Sequence, residues 1–217
     1  MRLISVNVGM PREIAYNGKA IVTGIFKEPV HERVRLRALN LDGDRQADLS
    51  VHGGPSKAVY LYPKEHYDFW RGELSGMELS WGAFGENFTT EGLFEDKLGI
   101  GDYLRIGTAQ VMVTEPRLPC FKLAAKFGRD NMIKKFLRSG RTGFYLAVIT
   151  EGEVGAGDEI EWFSGGSPVT IAGLTEVYLH RKHDVRALER MLNVKPLSAG
   201  WRRYFQEQLA KAERGKP

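Results

Sequence analysis

Glu115-Pro116-Arg117-Leu118-Pro119-Cys120-Phe121-Lys122-Leu123 holds the only cysteine of a 217-residue chain in a segment braced by two prolines and flanked by Arg117 and Lys122. A thiol beside fixed positive charges ionises more readily, and the thiolate is the form that attacks electrophiles or binds soft metals. A lone cysteine also serves as a small buried hydrophobe, so the chemistry of the segment alone leaves both roles open. One cysteine excludes an internal disulfide framework and suits a reducing cytosol.

Working outward, residues 103–106 and 109–114 read as two strands joined in hairpin fashion at Gly107-Thr108, and they deliver the cysteine loop. Beyond it, residues 123–127 and 131–137 read as short helices, with Asp130 or Asn131 as the cap of the second and Gly140 as its end. Residues 143–150 have the apolar run of a buried strand, and 157–162 make a last short one. Upstream, the alternation of Ile4, Val6 and Val8, the β-branched run at 21–26 and the alternation across 34–39 predict three more strands. Pro63 stands where a helix can begin, with Tyr67, Phe69 and Trp70 as its core face, and residues 72–81 read as a loop.

Gly165-Gly166-Ser167-Pro168 is the clearest linker, because charge and composition change across it. Residues 168–217 carry ten Lys/Arg against five Asp/Glu, whereas residues 1–167 carry 21 against 22. Three amphipathic helices follow: 171–178, one after Asp184 with Val185, Leu188 and Leu192 inward, and one after Ser198 with Trp201, Tyr204, Phe205 and Leu209 on one face. The expected division is therefore a mainly β domain with peripheral helices over 1–166 and a small three-helix C-terminal module over 167–217. A core that small must lean on the main domain or on a partner. The opening residues run straight into a strand pattern, and nowhere are there about 18 consecutive apolar residues, so neither a secretion signal nor a membrane span is expected and the cytoplasm is the expected location.

Other stretches carry candidate chemistry. His52-Gly53-Gly54-Pro55-Ser56-Lys57 forces a tight turn whose backbone N–H groups can approach an oxyanion, with His52 and Lys57 at either side. It does not match the P-loop pattern. Lys27 follows a strand at once, and Glu86 and Asn87 sit between apolar neighbours, where a carboxylate or amide needs partners. There is no His-Glu-x-x-His motif, no Gly-x-Ser-x-Gly elbow, no complete dinucleotide-binding glycine fingerprint and no second cysteine for a zinc cluster. A thiolate among anion-binding groups suggests either a covalent sulfur carrier or a metal ligand beside an anionic cofactor.

The segments 51–60, Phe84-Gly85-Glu86-Asn87-Phe88-Thr89, Ile100-Gly101-Asp102 and 116–123 stand in the order found in MOSC domains, and the chain most resembles the YiiM branch, linked to 6-N-hydroxylaminopurine resistance and carrying a C-terminal three-helix extension. The resemblance implies a β-barrel-like fold that holds the molybdenum cofactor (molybdopterin, with its own phosphate and no attached nucleotide), with Cys120 as the thiolate on the metal. It places Lys27, His52, Lys57, Glu86, Asn87, Arg117 and Lys122 around that cofactor. The implied activity is two-electron reduction of N-hydroxylated compounds, with His52 as a proton donor. Electrons would come from a flavin- or iron–sulfur-containing partner, for which the basic module, through Arg181, Lys182, Arg202 and Arg203, is the expected docking face. Nucleic acid and membrane are not expected partners. A persulfide carrier on Cys120 and a non-enzymatic binding module are the alternative readings.

Overall fold

Short alternating segments set the architecture, and a few glycines and prolines set where each one stops. The structure, a computed structural model, describes residues 1–48 and 53–214. In chain order its strands are β1 (Arg2–Val8), β2 (Arg12–Tyr16), β3 (Lys19–Thr23), β4 (Glu28–Val30), β5 (Val34–Leu36), β6 (Val59–Pro63), β7 (Phe88–Glu91), β8 (Tyr103–Ile106), β9 (Ala109–Pro116), β10 (Phe144–Thr150), β11 (Gly152–Val154) and β12 (Ile160–Phe163). The helices are α1 (Glu65–Glu73), α2 (Phe121–Phe127), α3 (Met132–Ser139), α4 (Ile171–His180), α5 (Val185–Leu192) and α6 (Ala199–Arg214).

Eight strands form one mixed sheet in the order β12-β8-β9-β10-β6-β7-β1-β4, in which β6 and β7 are parallel and the other neighbours antiparallel. The sheet curls without closing. No ladder joins β12 to β4; instead Leu3 N–H donates to Asp158 O and Ile160 N–H to Met1 O, both at 2.9 Å, which ties the approach to β12 back to the start of β1. The fold is thus sheet-dominated and barrel-like with peripheral helices, as expected, and its main sheet stops short of a closed barrel.

Several local expectations shift for identifiable reasons. Residues 21–26 are not one strand: β2 and β3 form a separate hairpin turned at Asn17 and Gly18, whose φ values of 49° and 73° give the mirror-image turn that Asn-Gly favours. Pro63 ends β6 rather than opening a helix, and α1 starts two residues later at Glu65. The strand over 34–39 contracts to β5, which pairs with β11. Asn131 precedes α3 without making a side-chain cap bond, whereas Gly140 ends it at φ 66° as expected. Asp184 caps α5 through Ala187 N–H at 3.1 Å.

The segment 164–170 is anchored rather than free. Buried Asp102 accepts hydrogen bonds from Gly99 N–H (2.8 Å), Trp162 Nε1–H (2.8 Å) and Gly165 N–H (2.7 Å). Ile100 N–H then donates to Val169 O, and Ile171 N–H to Leu98 O. Past this point Ile171, Leu174, Leu188, Trp201 and Phe205 join the same buried cluster as Leu3, Leu98, Ile100 and Val113. The three helices share the core of the sheet, and each such buried side chain contributes roughly 1.5–3 kcal/mol. A second cluster, around Tyr62, Trp70, Phe84 and Phe136, packs α1 to α3 on the sheet near the cysteine loop.

Candidate functional site

β9 ends at Pro116, and the loop that follows is fixed at both ends. Arg117 N–H donates to Gly143 O at 3.2 Å, and Cys120 occupies the residue before α2 in extended conformation, its carbonyl accepting from Leu123 N–H at 2.9 Å. Cys120 is half-buried and lines a cavity of about 100 Å³ with Lys27, Arg45, Lys57, Arg117 and Lys122, against the single carboxylate of Asp44 among the described residues. Such a wall favours an anion beside the thiol.

Arg117 is the most constrained of these cations. Only 5% exposed, its guanidinium lies 5.1 Å from the ring centroids of both Tyr60 and Phe136. Its buried Nη1 has no hydrogen-bond partner among the described residues. Burial works against its charge, but the Tyr60, Tyr145 and Cys120 groups around it outweigh that and hold its pKa above the ordinary value. Tyr145 in turn is pushed up by burial and stays a neutral phenol. A permanently charged donor with an unsatisfied N–H beside a cavity is costly in an empty protein and favourable where an anionic acceptor binds.

Lys27 and Asn87 are held by one chain of contacts. Lys27 pairs with buried Asp44, whose Oδ1 also accepts from Gly9 N–H at 2.9 Å. Asn87 Nδ2 donates to Asp44 Oδ2 at 2.9 Å, and Asn87 Oδ1 accepts from Tyr60 N–H at 3.1 Å. The β3–β4 loop, β6 and the start of β7 are thereby locked around the cavity. Gly85, at φ 85°, lets the chain run against Ile25, where an added Cβ would come within 2.7 Å of Ile25 Cγ1.

Glu86 does something different. Fully buried, it accepts from Gly82 N–H (2.9 Å), Phe84 N–H (3.1 Å) and the Thr89 hydroxyl (2.9 Å), and also from the Tyr67 hydroxyl. Burial raises its pKa against these opposing hydrogen bonds. It is not among the residues that line the cavity, and its acceptors are used in folding the 82–89 segment. Lys126 braces the same region by donating to Ile25 O (3.1 Å) and Gly82 O (2.9 Å), and desolvation pushes its pKa down to about 8.

The structure therefore brings together Lys27, Lys57, Asn87, Arg117, Cys120 and Lys122 from segments far apart in sequence. His52 lies outside the described residues. Asp44, Arg45, Tyr60 and Tyr145 also line the cavity and escaped sequence reading: Asp44 and Arg45 carry no motif, and the two tyrosines sit inside apolar strand runs. Of the four cations named in the helical module, Arg202 donates to the carbonyls of Leu192 and Val194 at 2.8 Å and Arg181 Nε donates to Asp184 at 3.1 Å, while Lys182 and Arg203 are exposed.

Among the described residues no group of three or more His, Cys, Asp or Glu side chains is placed to hold a metal ion. No helix among them is long and apolar enough to cross a membrane.

A cysteine loop set among cations on an open curled sheet defines a class. The MOSC domain profile matches residues 48–161, and the chain belongs to the MOSC domain family. Within it, a YiiM-like 3-alpha helix domain matches residues 169–212, which cover most of α4 to α6. The chain is 44% identical over 204 residues to the uncharacterized protein YflK of Bacillus subtilis, covering 94% of this chain and 92% of that one. It is 36% identical over 187 residues to protein YiiM of Escherichia coli, covering 85% and 84%. A Gibberella moniliformis protein called a reductase is 34% identical over 161 residues, which are 73% of this chain and 28% of that longer one. The crystal structure of YiiM from Geobacillus stearothermophilus superposes with a TM-score of 0.81 at 32% identity, over 96% of this chain and 98% of that chain.

Proposed function

We propose that this protein is a molybdenum-cofactor-dependent reductase of N-hydroxylated compounds such as hydroxylaminopurines, hydroxylamines and amidoximes, with the Cys120 thiolate as metal ligand. The observation that carries the reading is the buried Nη1 of Arg117, without a hydrogen-bond partner among the described residues, in the wall of a cation-lined cavity that also contains the thiol. A buried donor without a protein partner fits a bound anionic group, and the phosphate-bearing pterin of the cofactor is such a group. The soft thiolate fits a metal already carried on sulfur. When bound, the cofactor supplies the two-electron chemistry that cleaves an N–O bond.

The chain's own residues have separable tasks in this reading. Arg117 and Lys122 hold the anionic end, while Lys27, fixed by Asp44, and Asn87, fixed by Tyr60 N–H, keep the wall in place without rearrangement. The net reaction consumes two electrons and two protons and releases water and the amine. The electrons come from an external flavin- or iron–sulfur-containing donor. In this reading Lys57 Nζ, 3.4 Å from buried Glu115 in the wall that also holds Cys120, is one proton donor. His52 remains a second proton donor in this proposal. The fungal relative named as a reductase adds support for a reductive role.

The experiment is reduction of an N-hydroxylated substrate by the cofactor-loaded protein with an artificial reductant. Cys120→Ser is expected to abolish turnover while the melting temperature stays near that of the wild type. Full activity in that variant would remove the thiolate from the mechanism.

A further inference from the structure

Cys120 also borders a second cavity, of about 620 Å³, which shares Gly53, Lys57, Leu118 and Tyr145 with the first. The rest of its wall is of another kind. Where the first cavity is cationic, the second is closed on one side by Tyr178 of α4 and by Ser198, Trp201 and Tyr204 at the start of α6. That side carries no formal charge, and the charged members of the wall are Lys57 and Glu115. The size falls within the range of small-molecule pockets.

The aromatic side is organised and not merely apolar. Tyr178 lies 5.3 Å from Trp201 at an interplanar angle of 86° and 5.4 Å from Tyr204 at 55°. Trp201 stacks on the core residue Phe205 at 5.5 Å and 25°, which fixes the ring that backs the two tyrosines. Tyr178 and Tyr204 are half-buried, so parts of both rings remain accessible. Burial, together with neighbouring Tyr178, raises the Tyr204 phenol above its ordinary pKa and keeps it neutral. Edge and face contacts of this kind select flat rings.

We propose that this second cavity is the substrate half of the site, and that Tyr178 and Tyr204 set a preference for N-hydroxylated groups carried on flat aromatic rings over the same groups on small aliphatic chains. The assignment rests on the reductase reading for its chemistry, and it adds a role for the helical module: α4 and α6 bring a specificity wall to a thiol carried by the sheet. For an amidoxime the balance is two electrons from the external donor and two protons in, N–O bond broken, amidine and water out.

Benzamidoxime and acetamidoxime test this, because they share the reacting N–O bond and differ by the ring. With reduced methyl viologen as donor, the loaded wild type is expected to show a KM for benzamidoxime about tenfold below that for acetamidoxime. Tyr204→Ala and Tyr178→Ala should each raise the benzamidoxime KM by about three- to tenfold with kcat little changed, leave acetamidoxime kinetics alone, and leave molybdenum and pterin content at the wild-type level. Tyr204→Phe should restore the preference. Calorimetric titration of benzamidoxime without reductant should follow the same order, a readout independent of turnover. A loaded wild type that reduces neither amidoxime but binds benzamidoxime in this Tyr204-dependent way would overturn the reductase reading and leave the pocket assignment standing. Equal KM values for the two amidoximes, equal losses toward both in Tyr204→Ala, or loss of pterin from that variant would overturn the pocket assignment and give the space to the cofactor.

Discussion

Glu86 and Arg117 are both charged, both buried, and close enough to the same loops that sequence reading treats them alike. Their surroundings separate them. Glu86 accepts from the Gly82 and Phe84 N–H groups and from the Tyr67 and Thr89 hydroxyls. Arg117 retains a buried Nη1 with no partner among the described residues. A charge whose hydrogen bonds are satisfied inside the protein belongs to the fold, and one left open at a cavity is placed for a ligand. The two should therefore respond to substitution in opposite ways.

The largest effect is expected at Glu86. Glu86→Ala leaves its four donors without their acceptor and should lower unfolding free energy by about 3–5 kcal/mol, measured by urea denaturation. A loss below about 1 kcal/mol would mean that Glu86 is not the anchor of its segment. Asp102 sharpens the same class of residue at the other end of the sheet. Removing its three N–H contacts in Asp102→Ala should cost about 2–4 kcal/mol and loosen the 164–170 segment, seen as faster amide exchange at Gly99 and Gly165.

Lys126 gives a smaller, pH-dependent effect. Its folded pKa of about 8 lies below the ordinary 10.5, so the cost of the buried charge is fully present below pH 8. Between pH 8 and 10.5 the folded protein gives up this proton before the unfolded chain does, and stability rises with pH. Relative to Lys126→Met, the wild type should gain about 1–2 kcal/mol across that window, allowing for partial solvent screening. A parallel pH dependence in both proteins would contradict the burial argument. Least of all in stability is expected at Arg117: Arg117→Met should stay within about 1 kcal/mol of the wild type, because an apolar chain replaces an incompletely paired buried cation. The same variant should lose calorimetrically measured binding of inorganic phosphate, and this joint outcome is what divides it from Glu86.

Much of the outline was legible in residues. The strands β8, β9 and β10 and the helices α5 and α6 carry plain periodicity, and the Cys120 segment announces itself by composition. What escaped was set by tertiary context. β6 is a five-residue run and β7 a four-residue Phe-Thr-Thr-Glu segment whose pairing partners lie elsewhere in the chain, so residues 59–63 and 88–91 were not recognised as strands. The Asn17-Gly18 turn was readable from its dipeptide and was missed because the residues around it are largely exposed. At the site, Lys57, Asn87, Arg117 and Lys122 could be named because the family pattern marks them. Asp44 and Tyr145 could not, since neither carries a motif and both gain meaning only where β9, β10 and the 44–47 segment meet. Glu86 was the instructive case: its position between apolar neighbours signalled burial correctly, but burial alone does not say whether the partners are a ligand or the backbone.

The central claim is that the cavity around Cys120 and Arg117 holds an anionic, metal-bearing cofactor. Molybdenum and pterin content, measured side by side in wild type and Arg117→Met purified from cells supplied with molybdate, tests it most directly. The account predicts near-stoichiometric molybdenum and pterin in the wild type and loss of both in the variant. Absence of both from the wild type, or equal content in the two proteins, would contradict it.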